Sequence, residues 1–120
     1  MLTTHPHTPN HLFLDNAVYF VSGAIYQKRH LLAQSEHKAL LLGYIQEYCD
    51  KFQWELFHWV ILDNHYHLIL RSQYGNDLTW LFKSIHSRSA IDIHRKTCCE
   101  KPVWWNYWDY CPRNEKDTMI

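Results

Sequence analysis

The segment Phe57–Leu70 reads FHWVILDNHYHLIL, in which two apolar runs flank a break at Asp63–Asn64. Aspartate and asparagine favour tight turns, so the segment predicts two antiparallel strands joined by a hairpin. Because side chains alternate between the two faces of a strand, His65 and His67 share one face while Tyr66 points to the other. Two neighbouring imidazoles on a rigid strand can supply half of a metal site.

Two more strands are predicted on either side of this hairpin. The run from Ala17 to Tyr26 is rich in β-branched and aromatic residues and predicts a central strand. Trp54–Leu62, the first arm of the hairpin, is apolar on both faces and therefore predicts an interior strand. Val103–Tyr110 predicts a fourth strand, which Pro112 ends.

Two amphipathic helices are predicted between these strands. Ser35 is the expected N-cap of the first helix and Asp77 that of the second. Apolar residues at helical spacing define the face that each helix buries. The first buried stripe consists of Leu41, Tyr44, Ile45, Tyr48 and Phe52, and the second of Leu78, Leu81, Phe82, Ile85 and Ser89.

The order strand, helix, strand, strand, helix, strand predicts an α+β fold. It is the ferredoxin-like split βαβ arrangement, an antiparallel sheet with both helices on one face. If Tyr66 packs under the helices, His65 and His67 must lie on the open face. We expect residues 1–16 to be a flexible leader and residues 17–120 to form the single domain.

The composition narrows the class of protein. A hydrophobic content of 47% and a charged content of 20% indicate a globular domain rather than a disordered chain. Twelve basic and twelve acidic residues give no net charge, which argues against a protein that coats duplex DNA but allows a locally basic face. Without a CxxC pair, the four cysteines are expected to be ordinary thiols. Without a signal peptide or an apolar run long enough to span a membrane, we expect a cytoplasmic protein.

The histidine spacing has little meaning by itself. Since the chain contains ten histidines, about one His-x-His triplet is expected by chance, and His5-Pro6-His7 is a second example in a polar, proline-containing stretch. The strand context and the preceding turn distinguish His65 and His67. From the residues alone, a metal site and a pair of ordinary surface histidines both remain open, and a metal would need a third ligand from elsewhere.

The segment Trp59–Leu70 resembles the His-hydrophobic-His strand of the HUH single-tyrosine transposases, and among them it is most similar to the REP-associated tyrosine transposases. The resemblance runs from about Val18 to the end of the chain and includes Val103–Glu115, which reads VWWNYWDYCPRNE. Tyr66 departs mildly from the family at the hydrophobic position between the histidines.

This resemblance implies a ferredoxin-like domain that acts as a metal-dependent endonuclease and strand transferase on single-stranded or hairpin DNA. It assigns His65 and His67 to a Mg²⁺ or Mn²⁺ ion at the scissile phosphate, with a tyrosine nucleophile that forms a 5′-phosphotyrosyl link. It also implies a possible homodimer, no membrane association, and a place in the bacterial cytoplasm with the nucleoid.

The C-terminal segment departs from the family pattern. The resemblance places the nucleophilic tyrosine on a helix after the last strand, but here that helix is expected to begin near Asn114 and the sequence reaches Ile120 without a tyrosine. Tyr107 and Tyr110 fall in the fourth strand, where sheet packing is the favoured interpretation for both. We therefore expect a domain that lacks its C-terminal helix and is impaired in catalysis. The alternatives are a non-catalytic DNA-hairpin-binding module and a truncated remnant.

Six cationic side chains are predicted to contact DNA, the alternative for each being a solvated surface charge. They are Lys28, Arg29, Arg71, Lys83, Arg88 and Arg95. Asn64, next to the histidine pair, is expected to form the turn rather than to orient a ligand.

Overall fold

Within residues 13–112, the part of the chain that the computed structural model describes, four strands and two α-helices follow one another in the predicted order. Short 3-10 turns at Tyr26–Lys28 and Gly75–Asp77 lie after the first strand and before the second helix. The strands and helices are β1 (Val18–Ile25), α1 (Ser35–Phe52), β2 (Glu55–Ile61), β3 (His65–Arg71), α2 (Leu78–Thr97) and β4 (Trp104–Tyr110).

The strands form one antiparallel sheet in the order β2-β3-β1-β4. This order and the helix that follows each of β1 and β3 are those of the ferredoxin-like split βαβ fold. The predicted fold class is therefore confirmed, and β1 and β3 are the two central strands. Neither helix in the described part of the chain is long and apolar enough to cross a membrane.

The core lies between the sheet and the helices. Tyr66, Leu68 and Leu70 of β3 are almost fully buried there, which leaves His65 and His67 on the open face as predicted. All five residues of the predicted α2 stripe are buried. Leu41, Ile45 and Tyr48 of the α1 stripe are buried as well, whereas Tyr44 and Phe52 are half-buried at its margins.

The prediction that the Trp54–Leu62 segment is an interior strand is wrong. β2 pairs with β3 alone and forms an edge of the sheet, and 44% of Trp59 and 51% of Val60 are exposed. Residues that are apolar on both faces indicate burial on both faces only when helices cover both, and here the helices cover one. Trp54 itself, just before the strand, is buried.

The helix starts differ in detail from the prediction. Ser35 is the first residue of α1, and Gln34, whose backbone is extended, occupies the N-cap position. Asp77 is the N-cap of α2 as predicted, but neither cap forms a side-chain hydrogen bond to the helix. Most of the expected leader and the expected helix start at Asn114 lie outside the described residues.

Gly23 on β1 has a steric role in this sheet. It pairs with Tyr66 of β3 on one side and with Tyr107 of β4 on the other. A Cβ atom at position 23 would lie 2.3 Å from the nearest atom of the Tyr66 ring, far inside van der Waals contact. The tyrosine ring can cross β1 at this point because the residue beneath it has no side chain.

We expect Gly23→Ala to lower the free energy of unfolding by about 1–3 kcal/mol, because the added methyl group forces the buried Tyr66 ring to move. Urea denaturation of the two proteins measures the difference. Gly43→Ala is the matched control, since a Cβ at this exposed position of α1 meets nothing within 4 Å. It should instead stabilise the protein by about 0.5–1 kcal/mol through helix propensity. Equal stability of Gly23→Ala and the parent chain would contradict this account.

Candidate functional site

The two histidines of β3 lie side by side at the beginning of the strand. The amide of Leu62 donates to the carbonyl of His65 over 2.8 Å and closes the hairpin directly before the pair. The centres of the two imidazole rings are 5.0 Å apart and the rings are nearly perpendicular, at 84°. His65 is half-buried and His67 is exposed, so ligands can reach the pair from the open face.

Asn64 orients the ring of His65. Its Nδ2 atom donates to the carbonyl of Lys28 at 3.2 Å, so Oδ1 is the atom that faces His65 Nδ1 at 2.7 Å. An amide oxygen can only accept, so Nδ1 of His65 carries the proton and its Nε2 holds the free lone pair. The main-chain carbonyl of Asn64 also accepts from Ile25. Asn64 therefore forms the turn, as expected, and orients a histidine as well.

Ser22 holds the ring of His67. It is the cross-strand partner of His67 on β1, and its Oγ lies 2.7 Å from His67 Nδ1. When the hydroxyl oxygen accepts a hydrogen bond from Nδ1–H, the lone pair of His67 is on Nε2, away from the contact with Ser22. Sequence reasoning missed Ser22, because only the register of β1 against β3 shows that the two residues are opposite each other.

The donor atoms of this pair fit a partial ligand set for a divalent metal ion. An ion held at about 2.1 Å by two neighbouring imidazole nitrogens places the ring centres about 5 Å apart, close to the spacing here. Partners on Nδ1 that leave Nε2 for the metal are the usual support for histidine ligands. Among residues 13–112, however, no group of three metal-ligating side chains comes together, so the third ligand is not found in this part of the chain.

A cluster of aromatic side chains lies directly beneath the pair, and sequence reasoning missed it too. The hydroxyl of Tyr66 is 2.7 Å from Nε2 of His86 on α2. The His86 ring stacks on Trp104 of β4, with centres 4.3 Å apart and planes within 6°, and Trp104 donates to Ser89 at 2.9 Å. These contacts tie β3, α2 and β4 together immediately behind the two histidines.

Both members of the Tyr66–His86 hydrogen bond are neutral. Burial lowers the pKa of His86 to about 3 and raises the pKa of Tyr66 well above its ordinary value. A neutral hydroxyl and a neutral imidazole therefore share this hydrogen bond at neutral pH. The cluster provides a rigid support behind the pair rather than a second charged site.

The two tyrosines of β4 do not lie beside the pair. Tyr107 faces the helices, where it is buried against Phe82 with ring centres 5.1 Å apart, and burial raises its pKa. Tyr110 lies on the open face but stacks on Phe20, with ring centres 6.0 Å apart. Since β4 is two strands from β3, Tyr110 is displaced by about 10 Å across the sheet and about 7 Å along it from His67.

Three of the predicted DNA-contacting residues come near the open face or its edge. Lys28 is exposed, and its carbonyl accepts from Asn64 beside the histidines. Arg71 lies on the open face at the far end of β3, over the ring of Phe57 at 5.7 Å. Arg29 has a structural role, because its guanidinium donates hydrogen bonds to the main-chain carbonyls of Tyr26, Glu100 and Pro102.

The other three predicted residues lie on α2, on the opposite side of the sheet from the histidines. Lys83 lies over the Trp80 ring at 5.3 Å. Arg88 is held between the helices, donating to the Tyr48 hydroxyl at 2.9 Å with its guanidinium over Tyr44. Arg95 is exposed and borders a groove beside β4. The six cations therefore do not form one surface around the pair.

Comparison with protein families and solved structures gives a consistent result. The family model described as "Transposase IS200 like" matches residues 19–111. The fold is similar to that of a REP-associated tyrosine transposase bound to a REP hairpin, with a TM-score of 0.71 and 20% identity. That alignment covers 93% of this chain and 66% of the other, so this chain spans less than two thirds of the other's length.

A second structure has a similar fold. It is a candidate transposase from Deinococcus radiodurans R1, with a TM-score of 0.64 and 15% identity over 99% of this chain and 92% of that protein. At these levels of identity both likenesses establish the fold alone. A comparison with curated proteins found no significant match.

Protonation of His86 should destabilise the fold. Its pKa is about 3 in the folded protein against the ordinary histidine value of 6.5, so the unfolded chain binds the extra proton first and stability falls as the pH drops from 6.5 towards 3. Urea denaturation above and below pH 6.5 measures this loss in the parent chain and in His86→Gln, which keeps a polar side chain without a titrating ring. The variant should lose less stability over this interval, and an equal loss in both proteins would contradict the assignment.

Proposed function

Because the chain belongs to the IS200-like transposase family, we propose that it binds single-stranded DNA and holds a divalent metal ion at His65 and His67. The observation that carries the proposal is the placement of two imidazole rings, with centres 5.0 Å apart, on the open face of the sheet. Each ring is held through its other nitrogen, by Asn64 and by Ser22. Such partners on Nδ1 are usual for histidines that bind a metal ion.

Mg²⁺ or Mn²⁺ fits the family and is the ion we propose. When bound, the metal supplies positive charge that neutralises a DNA phosphate. The protein's part is to present two unprotonated nitrogens from one rigid strand and to hold them there. Asn64 sets the tautomer of His65, and Ser22 fixes the ring of His67. The hydrogen bond between Tyr66 and His86 holds β3 in place between the two histidines.

Lys28 and Arg71 are the proposed phosphate contacts on the side of the sheet that carries the histidines. Lys28 lies at the end near His65, and Arg71 lies about 14 Å along β3 from His67. On the same face, the edge strand β4 carries exposed aromatic rings, of which 39% of Trp108 and 44% of Tyr110 are accessible. Aromatic rings of this kind stack on unpaired bases.

The structure bound to a REP hairpin supports hairpin DNA as the form of the ligand. We propose that the 120-residue chain binds such DNA but forms no covalent link with it, because neither Tyr107 nor Tyr110 is placed to attack a phosphate at the histidines. The second candidate function is a non-catalytic hairpin-binding module in which the histidines hold no metal ion. The placement of the two tyrosines is compatible with this function too. A homodimer, a nucleoid location and a truncated remnant stay predictions from the resemblance.

The histidine pair should bind Mn²⁺, and isothermal titration calorimetry measures the affinity. We expect His65→Ala and His67→Ala to abolish binding, and Ser22→Ala to weaken it by about 10–100-fold because the His67 ring loses its support. His58→Ala is the matched control, since His58 is an exposed histidine on the neighbouring strand β2. Unchanged Mn²⁺ affinity in the His65→Ala, His67→Ala double variant would sink the metal site and favour the non-catalytic alternative.

A labelled single-stranded DNA hairpin incubated with the protein and Mn²⁺ tests the missing nucleophile. We expect the hairpin to be bound, as measured by fluorescence anisotropy, with no covalent protein–DNA adduct on a denaturing gel. Tyr107→Phe and Tyr110→Phe keep the aromatic rings and remove only the hydroxyl groups. An adduct that forms with the parent chain and disappears in either variant would show that a β4 tyrosine does attack the DNA.

A further inference from the structure

A groove runs between α2 and β4 on the side of the sheet away from the histidine pair. Its volume is about 760 Å³, and its lining residues come from the middle and C-terminal part of α2, from the loop after it and from the beginning of β4. We call it the α2–β4 groove. Because β4 is an edge strand, no further strand of the described chain covers this side.

The charged side chains that line the groove are all cationic. Arg95 and Lys101 line it, and no aspartate or glutamate is among its lining residues. Asp92 is on the same part of α2 but accepts a hydrogen bond from Tyr44 of α1, so it points towards the other helix. The protein as a whole has no net charge, so this local excess of cations favours an anionic ligand.

The walls of the groove are apolar and aromatic. Half of Ile91 is exposed there, and the half-buried His86 ring and the edges of the largely buried Val103 and Trp104 complete the walls. Nucleic acid single strands combine exposed phosphate charge with flat apolar bases, and their binding sites pair cations with aromatic surfaces in the same way. An inorganic anion would match the cations but leave this apolar surface unused.

The groove lies at the same end of the molecule as the histidine pair. Ala24 of β1 pairs with His65 on one side and with Asn106 of β4 on the other, and the next residue, Ile25, pairs with Trp104. Between the groove and the open face, at the edge of the sheet, Trp105 is 48% exposed and lies 5.8 Å from the Tyr26 ring. The distance from β3 to β4 within the sheet is two strand spacings, about 10 Å, and the path around the edge adds about another 10 Å, the spacing of packed layers. Several nucleotides can span this path.

From this charge, surface and position, we infer that the α2–β4 groove binds the phosphate backbone of single-stranded DNA that continues from the histidine pair around the edge of β4. Arg95 and Lys101 contact the phosphates, and the groove walls contact the bases. The inference rests on the proposed function, since it assumes that DNA is the ligand, but it assigns the contact to a surface on the opposite side of the sheet.

The test compares two double variants that each remove two positive charges. Arg95→Gln with Lys101→Gln alters the groove, whereas Lys51→Gln with Lys96→Gln is the control. Lys96 is on the same last turn of α2 as Arg95 but does not line the groove, so each variant removes one cation from that helix end. Affinity for a single-stranded oligothymidylate is measured by fluorescence anisotropy over a series of salt concentrations. Thermal unfolding confirms that both variants are folded.

We expect the groove variant to bind the oligonucleotide several-fold more weakly, with the slope of log affinity against log salt reduced by about 0.7 for each lost phosphate contact. The control variant should keep the parent's affinity and slope. Equal affinities of the two variants overturn the groove site while leaving Mn²⁺ binding at His65 and His67 intact. Failure of the parent chain to bind Mn²⁺ overturns the metal proposal alone, because the oligonucleotide measurement contains no metal.

Discussion

The packing of Tyr66 across Gly23 is the contact on which the rest of this molecule depends. Tyr66 lies between the two histidines in sequence but faces the core, fully buried, with its hydroxyl bonded to His86. Its ring reaches that position because Gly23 has no side chain beneath it. One residue thus connects the central strand to α2 and, through the His86–Trp104 stack, to the edge strand β4.

In this arrangement the two faces of β3 have different roles. The inward side chains of β3 contribute to the core, and two of the outward ones, His65 and His67, present imidazole rings that neighbouring residues hold in position. Ser22 comes from the adjacent central strand and Asn64 from the hairpin turn, so both supports belong to the rigid part of the sheet. A site built on such strands keeps its geometry better than one built on loops.

The family match and the fold agree, but the histidine site gives more specific information about function than either of them. A ferredoxin-like sheet hosts many unrelated functions, so the fold alone does not assign one. The particular feature of this chain is the supported histidine pair on an open face, with tyrosines of the last strand either buried or stacked at a distance. The cations divide between the two sides of the sheet, and this division is the basis for a DNA path that passes around its edge.

Much of this protein follows from its sequence alone. The Asp63–Asn64 turn, the alternation of β3 and the stripe of α2 all depend on neighbours within a few residues, and local periodicity is sufficient to predict them. For that reason the fold class and the outward direction of His65 and His67 were predictable from the order of the residues. The interior position predicted for β2 was wrong, because apolar residues on both faces do not say how many layers of helices will cover a sheet.

Only the tertiary structure decided which residues support the pair. Ser22 and His67 are 45 residues apart in the sequence, and Tyr66 and His86 are 20 apart, so no local pattern indicates either contact. The separation of Lys83, Arg88 and Arg95 from the histidines also depends on where α2 packs. Contacts of this kind are set by strand register and helix placement, which the whole chain determines together, whereas the direction of a side chain on a strand is set by the strand itself.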